Sequence, residues 1–123
     1  MYIVKLYMKE MLVYTFDRTL DGVLSAVFDA FSLHQRPDAL IGKGEPLPLF
    51  CEEVHEVETA DDRAQRVWAG LETRVSKEAL RLITISFQSE LSELNTPLFN
   101  YICKVFRQSE GTRSIERNFS DPD

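Results

Sequence analysis

Cys51, Glu53 and His55 stand within five residues of one another, and they are the side-chain types of a thiol–imidazole–carboxylate relay. Such relays draw their members from separate elements, so closeness in sequence adds little support. In a strand, Cys51 and His55 would share one face about 13 Å apart, too far to hold a common ion or pass a proton. The plainer reading makes Cys51 a small hydrophobe entering a strand and His55 a surface residue. His34 and His55 belong to different segments with no HExxH or CxxC beside them, so no metal site is expected. Gly42-Lys43-Gly44 is too short to cradle a phosphate. The adjacent acids Glu52-Glu53 and Asp61-Asp62 point apart on either kind of element, and read as a solvated edge and a helix start. No catalytic constellation and no cofactor motif emerges.

Basic side chains beside aromatic rings are the remaining chemistry. Arg63 and Arg66 lie one turn apart near Trp68, and Lys104, Arg107, Arg113 and Arg117 follow with Tyr101 and Phe106 interleaved. Such a mixture suits phosphate contact combined with base stacking. The chain as a whole carries a net charge of -6, unlike a protein that coats itself with nucleic acid. The charge is uneven: residues 1–62 hold five basic and twelve acidic side chains, residues 63–123 nine and eight. A phosphate-facing surface therefore belongs to the second half. The competing reading pairs these cations with nearby glutamates on solvated helix faces and puts Trp68 in the core.

The elements that would carry these groups follow from periodicity. Met11–Phe16 is β-rich and bounded by Asp17, and it predicts a strand. Residues 1–10 read as an N-terminal extension, because Met8 and Met11 are also potential starts. Leu20, Val23, Leu24, Val27, Phe28 and Phe31 trace one face of a helix, with Asp17 or Thr19 as its cap. Arg36–Ile41 predicts a helical turn with Pro37 at its first position. Glu45–Phe50 reads as polyproline-like chain, with Leu47, Leu49 and Phe50 pinning it to the core. Residues 53–58 alternate polar and apolar and predict a second strand. Thr59 and Asp62 then form a capping-box-like start for a helix with Ala64, Val67, Trp68 and Leu71 inward. Ser76 caps the next helix (Leu80, Ile83, Phe87), and Thr96-Pro97 opens a last one with Leu98, Phe99, Ile102 and Phe106 as its stripe. The expected fold class is α/β, helix-dominated: two short strands and four helices in one domain over 11–107. A polar tail, 108–123, ends in Ser120-Asp121-Pro122-Asp123, which reads as the start of a further helix and suggests a continuation.

The length supports one hydrophobic core, and the 44% apolar content with thirteen aromatic residues can fill it. The first ten residues lack the continuous apolar stretch of a signal peptide. Cys51 and Cys103 are far apart and read as reduced thiols, which points to the cytoplasm.

Several segments taken together resemble a known family. Tyr14-Thr15-Phe16-Asp17 followed by Leu20-Asp21-Gly22-Val23-Leu24-Ser25-Ala26-Val27-Phe28-Asp29-Ala30-Phe31 is similar to the opening of the bacterial "probable DNA metabolism protein" family. Gly44–Phe50, Arg66-Val67-Trp68-Ala69-Gly70-Leu71 and the stretch from Arg113 to Asp123 continue the resemblance, from about Met11 to the end. Members are typically encoded beside a radical SAM protein, and some are fused to a uracil-DNA-glycosylase-like domain. The resemblance implies an accessory domain of a DNA repair or modification system, binding a radical SAM partner protein, DNA, or both. It supplies no catalytic residues, and this chain lacks the CxxxCxxC of a radical SAM cluster. Two alternatives stand beside it. One is part of an enzyme sited mainly in a missing C-terminal half, with Cys51, His55 and Asp17 as local candidates. The other is an interaction scaffold without nucleic-acid contact. A homodimer through an exposed apolar edge is a further expectation.

Overall fold

The computed structural model describes residues 11–113, with side chains to 108. The chain runs β1 (Met11–Phe16), α1 (Leu20–Ser32), β2 (Ala39–Gly42), β3 (Cys51–Glu56), α2 (Asp61–Glu72) and α3 (Lys77–Gln88). A 3-10 turn (Ser92–Leu94) then leads into α4 (Asn95–Arg113). The sheet has three strands in the order β2-β1-β3, and both pairings are parallel. Parallel pairing requires a crossover, which α1 supplies between β1 and β2. A central parallel strand is covered on both faces and so reads as an unbroken apolar run. Met11-Leu12-Val13-Tyr14-Thr15-Phe16 is such a run: the successive residues Val13 and Tyr14, on opposite faces, are both fully buried.

Two strands were expected, and the described residues hold three. The segment Arg36–Ile41 is not a helical turn; its second half is β2. Asp38 explains the outcome. Its N–H donates to the Leu12 carbonyl at 2.8 Å, and its carboxylate accepts from the Leu12 N–H at 2.9 Å. That clasp sets the chain beside the start of β1 before any helical bond can form. Pro37, with no N–H, simply precedes the ladder. A four-residue strand is too short to display its period, which is why the pattern was ambiguous. On the outer side of β2, Leu40 N–H donates to Thr96 Oγ1 at 3.0 Å, so α4 closes that edge.

β3 begins and ends two residues earlier than the expected 53–58. Met11 pairs with Cys51 but Leu12 with Glu53, so Glu52 is an extra residue at an irregularity, and the alternation shifts there. The connector ahead of it corrects a second expectation. Leu49 is 94% exposed and Phe50 70%, so neither pins the loop to the core. Pro46 and Pro48 offer no N–H to a ladder, and the helical core is already filled from other elements.

The capping expectations divide. Thr19 caps α1, with Oγ1 accepting from Gly22 N–H at 2.9 Å. Asp17 braces the cap by accepting from the Thr19 N–H and hydroxyl. Ser76 caps α3 as expected. Thr59 does not open α2; the N-cap is Ala60, whose N–H donates to Ser25 Oγ at 3.1 Å. The Thr59 hydroxyl instead donates to Asp17 at 2.8 Å. The apolar stripes of α1, α2 and α4 meet in one core, with Leu71, Phe99 and Ile102 buried at its centre.

Gly70 marks the closest approach of α2 to α4. A Cβ there would lie 2.8 Å from the buried ring of Phe106. Helix propensity favours alanine over glycine by about 1 kcal/mol, but overpacking a filled core costs about 1–3 kcal/mol. Gly70→Ala should therefore lower the urea midpoint rather than raise it. Adding Phe106→Leu, which shortens the obstructing ring, should recover part of the loss.

Candidate functional site

α1 packs against both α2 and α4, and its outward residues Phe28 and Phe31 are only half-buried. Arginines from both flanking helices lie over these rings. The guanidinium carbons of Arg63 and Arg66 sit 5.7 and 5.4 Å from the Phe28 centroid, and that of Arg107 sits 5.6 Å from Phe31. Phe31 meets Phe106 edge-on at 6.1 Å, and Arg74 lies 4.8 Å over Phe106. Four guanidinium groups thus rest on three rings, Phe28 and Phe31 one turn apart on α1 and Phe106 of α4 against Phe31, and form an arginine row. A ring face attracts a guanidinium without taking up its N–H donors.

The four are not equivalent. Arg63 faces the carboxylate of Asp29 at 3.6 Å. Arg74 donates to the Gly70 carbonyl at 2.8 Å and to Thr73 at 3.2 Å. Arg66 and Arg107 make no ion pair among the described residues, so their charge is uncompensated at close range.

Of the residues expected at a nucleic-acid surface, Arg63, Arg66 and Arg107 are brought together. Lys104 is exposed on α4, one turn before Arg107, without a ring contact among the described residues. The Arg113 side chain and Arg117 lie outside the described residues. The aromatic partners differ from expectation except for Phe106. Trp68 is packed against the core, as its stripe position implied. Tyr101 lies on the far side of α4, lining an apolar cleft of about 360 Å3 with Leu82, Ile83 and Pro97 of α3 and α4. Phe28 and Phe31 looked like core residues because they continue the apolar stripe of α1. Only their position at its outer margin distinguishes them.

The Cys51–Glu53–His55 relay is not assembled. Cys51 donates from sulfur to the Glu53 carbonyl at 3.6 Å, whereas His55 turns away toward the helices. His55 is no simple surface residue: its Nε2 donates to Asp29 Oδ2 at 2.9 Å and its ring lies 4.6 Å from that of Tyr14. Asp29 is thereby held between β3 and α2, a role the sequence did not signal. Tyr14 donates to Gln35 Oε1 at 2.6 Å. Burial, and then the charge of Asp29, push its hydroxyl up to about 12, so it remains a proton donor. Burial likewise pushes the Cys103 thiol up to about 12, which leaves it unreactive at neutral pH. Among the described residues no group of three potential metal ligands converges.

In doubly wound sheets ligands commonly bind beyond the carboxyl ends of the strands, where the strand order reverses. Here that point lies between β1 and β3, and the protein's own side chains occupy it. Asp17 takes hydrogen bonds from Thr19 and Thr59, Arg18 pairs with Glu45 at 3.5 Å, and Lys43 with Glu56 at 2.9 Å. The arginine row is the more open chemistry. Among the described residues no helix is long and apolar enough to cross a membrane. Comparison of the chain with protein-family models, with curated proteins and with solved structures finds no match in any of the three.

Asp17 yields a pH test of this frame. Burial pushes its carboxyl up, but the Thr19 and Thr59 hydroxyls and backbone N–H groups outweigh that and hold it below the ordinary value. A depressed folded-state value stabilises the fold above the unfolded pKa of about 3.9, and that stability is lost as pH falls through the folded value. Asp17→Asn should lower the urea midpoint at pH 7, and its difference from the parent protein should shrink below about pH 4. A pH-independent difference would assign Asp17 a purely steric role.

Proposed function

We propose that this chain is an accessory domain of a DNA repair or modification system that contacts DNA through the arginine–aromatic row on α1, α2 and α4. The observation carrying this reading is the pair Arg66 and Arg107, each stacked on a half-buried phenylalanine and neither ion-paired among the described residues. Guanidinium groups suit phosphate oxygens, and a guanidinium plane can itself stack against an unpaired base. The setting in DNA metabolism, and the radical SAM partner with it, rests on the family resemblance. With a net charge of -6 the rest of the molecule repels a polyanion, so contact is local and strongly weakened by salt.

A second reading concerns the protein partner. Leu82 and Tyr101 are exposed and line the cleft between α3 and α4, whose lining includes none of the arginines. Contiguous exposed apolar groups of this kind favour a protein contact, and the partner implied by the resemblance would dock there.

Fluorescence anisotropy with single- and double-stranded DNA across a salt series tests the first reading. Arg66→Ala and Arg107→Ala should each weaken binding to all sequences alike and reduce the salt slope by about one. Undiminished binding by the double variant, or no binding by the parent protein at low salt, would reject the arginine row as a DNA surface. For the second reading, Leu82→Arg should abolish co-purification with the radical SAM protein while leaving anisotropy unchanged.

A further inference from the structure

We infer that the concavity at the C-terminal end of α1 is a seat for a phosphate monoester. It measures about 250 Å3 and is lined by Ala30, Phe31, His34, Gln35, Arg36 and Arg107. Two arginines, a histidine and a glutamine line it, and none of its lining residues is a carboxylate. Such a set attracts an anion and satisfies several of its oxygens at once. The volume falls below the roughly 300–1,000 Å3 of sites for whole small molecules, so it fits one group of a ligand.

Three details support the assignment. First, a helix C-terminus ordinarily disfavours an anion through its free carbonyls. Here the carbonyls of Asp29, Ala30 and Phe31 accept from the N–H groups of Leu33, Gln35 and His34 at 2.8, 2.8 and 3.3 Å, which covers them. Second, His34 has φ of 56°, in the left-handed position after a helix where glycine is usual. A residue with a side chain is uncommon there, and this side chain belongs to the lining of the cavity. Third, the Tyr14 hydroxyl occupies Gln35 Oε1, so the carboxamide has its nitrogen donors left to offer a ligand.

Arg107 belongs to both the cavity and the arginine row. A DNA strand lying over Phe28 and Phe31 would therefore bring a terminal phosphate here, a source that rests on the proposed DNA contact. A free nucleoside monophosphate presents the same chemistry without that contact.

The test compares 5′-phosphorylated, 3′-phosphorylated and hydroxyl-ended single strands by anisotropy, and titrates deoxyadenosine 5′-monophosphate by calorimetry. One phosphorylated end should bind about tenfold more tightly than the hydroxyl end. His34→Gly with Arg36→Gln should remove that preference and keep the hydroxyl-ended affinity within about twofold. Glycine keeps the left-handed turn, so loss of fold would not explain the result. Monophosphate binding that the double variant abolishes, without binding of any strand, would uphold the seat and reject the DNA contact. Strands that bind alike whatever their ends, with no monophosphate binding, would overturn the seat and leave the DNA contact standing. An equal loss for all strands in the double variant would also overturn it.

Discussion

A carboxylate that is 8% exposed must be answered by partners, and the answer to Asp29 organises this molecule. It stands on α1, on the side facing β3 and α2. His55 reaches it from β3 and Arg63 from α2. The two partners come from elements 26 and more positions further along the chain, so the contact forms only when β3 lies beside β1 and α2 has turned back over α1. A one-residue slip would turn His55 to the opposite face of the sheet and take from the buried acid one of its two directed partners. The irregularity at Glu52 serves this end: the added residue sets the register in which Tyr14 lies opposite His55.

The same contact decides where positive charge accumulates. Drawing Arg63 toward Asp29 places the first turn of α2 along α1, and Arg66, one turn later, then falls over Phe28 as well. From the other side, Gly70 lets Phe106 approach α2, and Phe106 in turn meets Phe31 beneath Arg107. The arginine row is thus a by-product of helix packing as much as a surface feature. Its like charges are met by two kinds of partner: the Asp29 carboxylate faces Arg63, and aromatic rings lie under Arg66 and Arg107. Where carboxylates are close, at Arg18–Glu45 and Lys43–Glu56, the cations are consumed in pairs.

Much of the frame was legible in the sequence because it rests on local rules. The Thr19 and Ser76 caps, the apolar run of β1 and the inward stripe of α4 each follow from residues adjacent in the chain. β2 was not legible, because its formation depends on Asp38 finding Leu12, 26 residues away. Thr59 was misread for a similar reason: its hydroxyl donates to Asp17, 42 residues earlier, instead of accepting from the first N–H groups of the helix it precedes. In the site, Arg63, Arg66 and Arg107 were visible as charges but their company was not. Trp68 and Tyr101 are the nearer aromatics in sequence, whereas Phe28 and Phe31 become neighbours only through the packing of α1 between two helices. Asp29 carried no signal at all, since an isolated acid inside an apolar stripe reads as its polar margin.

The two edges of the sheet show how differently a short parallel sheet can end. At β2 the side chain of Thr96 accepts from the Leu40 N–H and returns its own hydrogen to the Leu40 carbonyl at 3.3 Å, so a helix supplies what another strand would have. Among the described residues β3 is the last strand on the other side, with Val54 46% exposed and Glu56 paired to Lys43 at 2.9 Å, so that side ends in side chains rather than in a packed helix.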